Sequence, residues 1–146
     1  MINFKLFFES SWYNDTLPER FWNGKEFDPV VRQKLLEIAA DVADKAGVVG
    51  EVQDVQLTGS MAHYNYTKYS DLDVHILLDF ADINSDEDLV RAALDGRRFV
   101  WNLRHNISIG GHDVELYFQA MEDPHIAYLL CEKTLLQQMV SLVLVI

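Results

Sequence analysis

Apolar residues fall at helical spacing early in the chain, where Val31, Leu35, Ile38, Val42 and Ala46 share one face. Asp28 stands ahead of them as an N-cap, Pro29 takes the first helical position and Gly47 follows the last turn, so a helix is predicted over residues 28–47. The period then shortens to two. In "EVQDVQLTG" Val52, Val55 and Leu57 alternate imperfectly with polar residues, which reads as a strand stopping at Gly59. In "SDLDVHILLD" the alternation is stronger: Leu72, Val74, Ile76 and Leu78 point one way and Asp71, Asp73 and His75 the other. From Ser85 an acidic first turn (Asp86, Glu87, Asp88) leads Leu89, Val90, Ala93 and Leu94 into a second helix, with Gly96 expected to interrupt it before "RRFVWNLRH". "NISIGGHDVELYFQA" reads as a hairpin turning at Gly110-Gly111, with Val114, Leu116 and Phe118 on one face of the returning strand and Asp113, Glu115 and Tyr117 on the other. A last helix is predicted over residues 124–146, through Ile126, Leu129, Leu130, Leu136 and Met139.

Helix, strand, strand, helix and hairpin in that order predict an α+β fold, a small mixed or antiparallel sheet with helices packed on one face. The opposite face is then left for chemistry. No repeat or long linker divides the 146 residues, so one domain is expected over 1–146, with its motif core at about 28–119.

Bulk composition narrows the function only a little. With 49% hydrophobic and 24% charged residues the chain is too apolar for a disordered segment. A net charge of −11 repels phosphate backbones on average and argues against strong binding of duplex nucleic acid. Cys131 has no internal disulfide partner and sits beside Leu129 and Leu130, which favours a buried thiol in a reducing compartment. "MINFKLFFESSW" lacks the core of an export signal, and "MVSLVLVI" is far shorter than the ~20 residues a membrane span needs. A cytoplasmic location is expected, the host cytoplasm if the gene is viral.

Two aspartates one residue apart mean little alone, since 23 acidic residues in 146 give roughly three or four such acidic pairs by chance. Their setting carries the weight. Alternate strand residues are ~7 Å apart and share a face, so Asp71 and Asp73 can converge on a pair of ions about 3.5–4 Å apart, as used in phosphoryl displacement. Carboxylate oxygens suit Mg²⁺ or Mn²⁺, and Glu115, on another predicted strand, is the candidate third ligand. Gly59 at a strand end lets backbone approach a ligand, and Ser60 adds a hydroxyl for a phosphate. No G-x-x-x-x-G-K-[ST] run supports a P-loop ATPase. Lys68, between the two motifs, is a candidate phosphate contact, against a default of solvation for a loop lysine. His75 is read first as a hydrogen-bonded structural histidine, His63 as a solvated loop residue, and Trp22 and Trp101 as core or groove residues.

"LTGS", a loop from Met61 to Ser70, "DLDV" and the later "VELY" together resemble the nucleotidyltransferase superfamily typified by DNA polymerase β. The likeness is closest to small stand-alone nucleotidyltransferase-like proteins of bacteria and tailed phages, through "RQKLLEIA", "TGSMAHYN", "SDLDVHI" and "WN" with "VELY", about Leu17 to Gln119 in all. That resemblance implies that Gly59 and Ser60 hold the triphosphate of an NTP and that Asp71 and Asp73 ligate two Mg²⁺ or Mn²⁺ ions. Glu115 would bind the catalytic ion and draw a proton from the acceptor hydroxyl. Two departures stand out: Tyr64 replaces a glycine found in many relatives, and the segment after Pro124 matches no known pattern.

The expected activity is transfer of a nucleoside monophosphate to an acceptor hydroxyl with release of pyrophosphate. A protein hydroxyl, an RNA end, a small molecule and another nucleotide stay open as acceptor. The alternative is a non-catalytic nucleotide-binding or partner-binding module, such as an antitoxin, docking through its apolar C-terminal helix.

Overall fold

The computed structural model describes residues 14–123 and 140–142. A short hairpin, β1 (Trp22–Asn23) and β2 (Glu26–Phe27), leads into the first long helix, α1 (Pro29–Lys45). Asp28 caps it as its sequence position predicts: the carboxylate accepts from the N–H groups of Val30 and Val31, both at 2.9 Å, satisfying two donors the first turn leaves without partners. Gly47, at φ 63°, ends it in the left-handed region. Leu35, Leu36, Ala39, Val42 and Ala43 form the buried side of α1.

Strands β3 (Val52–Thr58), β4 (Leu72–Leu78), β5 (Ser108–Ile109), β6 (His112–Ala120) and β7 (Val140–Leu142) form a sheet in the order β5-β6-β4-β3-β7. β3 is antiparallel to both its neighbours and β4 is parallel to β6, so the architecture is α+β with a small mixed sheet. Parallel neighbours need a crossover. Here it is supplied by a short helix, α2 (Phe80–Ile83), and a long one, α3 (Glu87–Arg104). A register shift between Val52 and Asp54 puts Val52 out of step with Val55 and Leu57, which is why the alternation in this segment looks imperfect.

One side of the sheet is the core. Val55, Leu57, Leu72, Val74, Ile76, Leu78, Val114, Leu116 and Phe118 pack with α1 and with Val90, Leu94 and Trp101 of α3. At about 1.5–3 kcal/mol for each fully buried large side chain, this layer dominates the stabilisation. Helix α3 also runs beside the edge of β6 that β5 leaves unpaired, where Asn102 Nδ2 donates to the Leu116 carbonyl at 3.3 Å.

Two expectations change. Helix α3 continues through Gly96. A mid-helix glycine costs about 1 kcal/mol relative to alanine, and burial of Leu94 before it and Trp101 after it outweighs that. The apolar residues of α3 also divide: Val90 and Leu94 are buried, while Leu89 and Ala93 face outward with Phe99, Val100 and Leu103. The helix expected over 124–146, like Cys131, lies outside the described residues apart from 140–142. Those three form β7, pairing antiparallel with Val55, Gln56 and Leu57, so helix does not extend through them. β-branched residues around them favour an extended edge strand. No helix among the described residues is long and apolar enough to cross a membrane.

Candidate active site

Strand register assembles the site. Thr58 pairs with Asp73 across β3 and β4, and Asp73 pairs with Glu115 across β4 and β6. Paired residues sit side by side on one face, about 4.8 Å from strand to strand. Thr58, Asp73 and Glu115 therefore form one row across the sheet, on the face opposite the core. The row behind it holds Gln56, His75 and Tyr117. Asp71 immediately precedes β4 at the same end.

The acids feel one another. Burial pushes Asp73 up to about 6, reinforced by the charges of Glu115 and then Asp71. Asp71 is raised by burial, then by Glu115 and Asp113, with His112 opposing. Carboxylates separated by up to 44 positions in sequence thus share one field.

Gly59 closes this end of the row, and two features disfavour a side chain there. Its φ of 71° and ψ of −165° lie in a region only glycine occupies freely. A Cβ atom would also collide with Asp73 Oδ2. The Asp73 carboxylate therefore leans directly over the Gly59 backbone, at the start of the 3-10 turn Ser60–Ala62. Ser60 Oγ donates to Ser70 Oγ at 2.8 Å, closing the loop at its base; Ser70 Oγ also accepts from the Thr67 N–H at 2.9 Å. His112 Nδ1 meets the Ser70 carbonyl at 2.6 Å. Farther along, Trp22 Nε1 donates to the Met61 carbonyl at 3.0 Å, and Asn14 Nδ2 donates to the Tyr64 and Tyr66 carbonyls at 2.9 Å. The loop between the two motifs is pinned at several points.

Of the residues singled out from sequence, Gly59, Ser60, Asp71, Asp73 and Glu115 gather at one end of the sheet. Lys68 is exposed on the loop, its Nζ 4.8 Å from the Tyr69 ring centroid. His75 is a structural residue in its contacts, with Nδ1 2.6 Å from Gln119 Oε1 and its ring stacked on Tyr117 at 4.9 Å. His63 is half-buried rather than solvated, and burial lowers its pKa. Trp22 and Trp101 are both core residues.

The sequence places Tyr117 on this face without pointing to a role for it, and does not point to Arg98 at all. Tyr117 OH donates to Glu115 Oε2 at 2.5 Å, and burial, that bond and the Glu115 charge push its phenol pKa upward. The pattern Glu-x-Tyr on one strand face was the available signal, since i and i+2 side chains are neighbours there. Arg98 comes from α3, with its guanidinium carbon 4.8 Å from the Tyr117 ring centroid. Nothing in the local sequence marks it.

Among the described residues, no group of three or more His, Cys, Asp or Glu side chains is placed so that it could hold a metal ion as it stands. The donor set still fits a hard divalent cation. Asp71, Asp73 and Glu115 offer only carboxylate oxygens, which suit Mg²⁺ or Mn²⁺. A cation would also offset the burial and the mutual repulsion that raise Asp71 and Asp73. No protein-family model, curated protein or solved structure matches the chain.

Proposed function

We propose that this chain is a metal-dependent nucleotidyltransferase with a fold of the DNA polymerase β type. The supporting observation is the row Thr58, Asp73 and Glu115, with Asp71 beside it and a glycine whose missing side chain makes room for the Asp73 carboxylate. Asp71, Asp73 and Glu115 would hold one or two Mg²⁺ or Mn²⁺ ions, which when bound supply Lewis-acid stabilisation of charge on the attacking and leaving oxygens.

The protein's own groups then have distinct tasks. Gly59 allows the backbone to approach the triphosphate closely, and Ser60 adds a hydroxyl beside it. Glu115 accepts the proton of the acceptor hydroxyl as that oxygen bonds to the α-phosphorus. The bond from the α-phosphorus to its bridging oxygen breaks, and pyrophosphate leaves. The field of the acids disfavours an NTP without its cation, so nucleotide binding is expected to depend on metal.

Equilibrium dialysis with each labelled NTP, with and without Mn²⁺, tests this. Binding that needs Mn²⁺ and is abolished by Asp73→Asn is the expected result, with transfer once a competent acceptor is supplied. A folded protein that binds no NTP in the presence of metal would overturn it. One observation favours a second reading, a partner-binding module: Leu89, Phe99, Val100 and Leu103 are exposed on one side of α3. That reading predicts the failure of the dialysis experiment with folding intact.

A further inference from the structure

We infer that Tyr117 is a positioning residue for Glu115: its hydroxyl holds one carboxylate oxygen so that the other is presented toward a divalent cation shared with Asp73. This rests on the metal-binding reading of the site. The bond from Tyr117 OH to Glu115 Oε2 is 2.5 Å, the length of a hydroxyl donating to a carboxylate. Both residues lie on β6, two positions apart and on the same face, so the bond needs no distortion of the strand.

A hydroxyl orients its partner only if its own ring is held, and the Tyr117 ring is held by both neighbouring elements. From β4 the His75 imidazole stacks on it at 4.9 Å between centroids and 30° between planes, with His75 Nδ1 anchored 2.6 Å from Gln119 Oε1. From α3, on the other side of β6, the Arg98 guanidinium carbon sits 4.8 Å from the ring centroid. Arg98 Nε is buried without a hydrogen-bond partner and lies 3.9 Å from Asp95 Oδ1, so a strong ion pair is not what places this side chain. The ring contact accounts for its direction. A glutamate has three rotatable side-chain bonds, and freezing them before a ligand arrives removes an entropy loss that would otherwise oppose binding. Hydrogen-bonded partners of metal ligands act in this way, and their removal lowers metal affinity by about 10–100-fold.

The test uses the full chain and Mn²⁺ alone as probe, with free Mn²⁺ read by electron paramagnetic resonance and folding checked by thermal unfolding. Wild type binds Mn²⁺, and Tyr117→Phe binds about tenfold more weakly at a similar melting temperature. Arg98→Gln, which leaves the hydroxyl in place but frees the ring, weakens binding by about threefold. In a Glu115→Gln background Tyr117→Phe has no further effect, because the hydroxyl acts through that carboxylate; general loosening of the sheet would persist there. Wild-type affinity in Tyr117→Phe, or an equal loss in both backgrounds, overturns the inference and leaves the metal reading standing. A folded wild type that binds no Mn²⁺ overturns both.

Discussion

The two faces of the β4–β6 pair are made from alternate residues of the same two segments, and they contribute differently to stability. On the inner face Leu72, Val74, Ile76 and Leu78 are each 0% exposed and pack into the core. On the outer face Asp73, His75, Glu115 and Tyr117 are half-buried, and Asp73 is pushed up to about 6 by burial and by its acidic neighbours. The inner face stabilises the fold. On the outer one the burial and crowding of Asp73 work against the fold, while the Tyr117–Glu115 hydrogen bond and the His75–Tyr117 stack support it. Perturbed carboxylates of this kind are where a functional site is sought, and they support the proposal made for this face.

Four substitutions would break or sharpen this contrast. Ile76→Ala, on the inner face, should lower stability by about 2–5 kcal/mol in urea titration; a loss below about 1 kcal/mol would remove the claim that this layer dominates. Gly59→Ala, at the boundary between the faces, should cost about 1–3 kcal/mol from backbone strain and displace Asp73, so that Mn²⁺ affinity falls as well. Asp73→Asn should do the reverse on the outer face and raise the stability of the metal-free protein at pH 7 by about 1 kcal/mol, after discounting for partial exposure.

Its pH dependence follows from the sign of the shift. Asp73 is raised in the folded state, so the native protein binds that proton more tightly than the unfolded chain does. The associated stability is complete below about pH 4, the unfolded value, and is lost as pH rises through about 6. The advantage of Asp73→Asn should therefore open across that window and stay flat above it, as followed by urea midpoints at a series of pH values. The smallest effect is expected away from the site, at Gly96→Ala. A Cβ there meets nothing within 4 Å, and the mid-helix position should gain just under about 1 kcal/mol in thermal unfolding.

Local signals were legible in the sequence and pairing was not. Helix α1 could be read nearly to the residue, because Asp28, Pro29 and Gly47 each act within a few positions of themselves. The Gly110-Gly111 turn and the outward acids of β4 and β6 were legible for the same reason. The parallel pairing of β4 with β6 was not, since it joins strands separated by two helices and no local pattern encodes it. That pairing is what sets Glu115 beside Asp73. Likewise Gly96 resembles a helix stop in sequence, and only the burial of Leu94 and Trp101 on either side carries the helix through it; the division of α3 into buried Leu94 and exposed Phe99 depends on how the helix docks. Arg98 reaches Tyr117 only through that docking, so no reading of its neighbours could have found it.

Under the proposed function, the cost of burying and crowding Asp71, Asp73 and Glu115 would be offset by a bound divalent cation. The most direct test is thermal unfolding of wild type and Asp73→Asn near pH 7, each with and without millimolar Mn²⁺. The account predicts that Mn²⁺ raises the wild-type midpoint by several degrees, that Asp73→Asn raises it without metal, and that the two gains do not add. A midpoint unmoved by Mn²⁺ in wild type, or moved equally in both proteins, would contradict it.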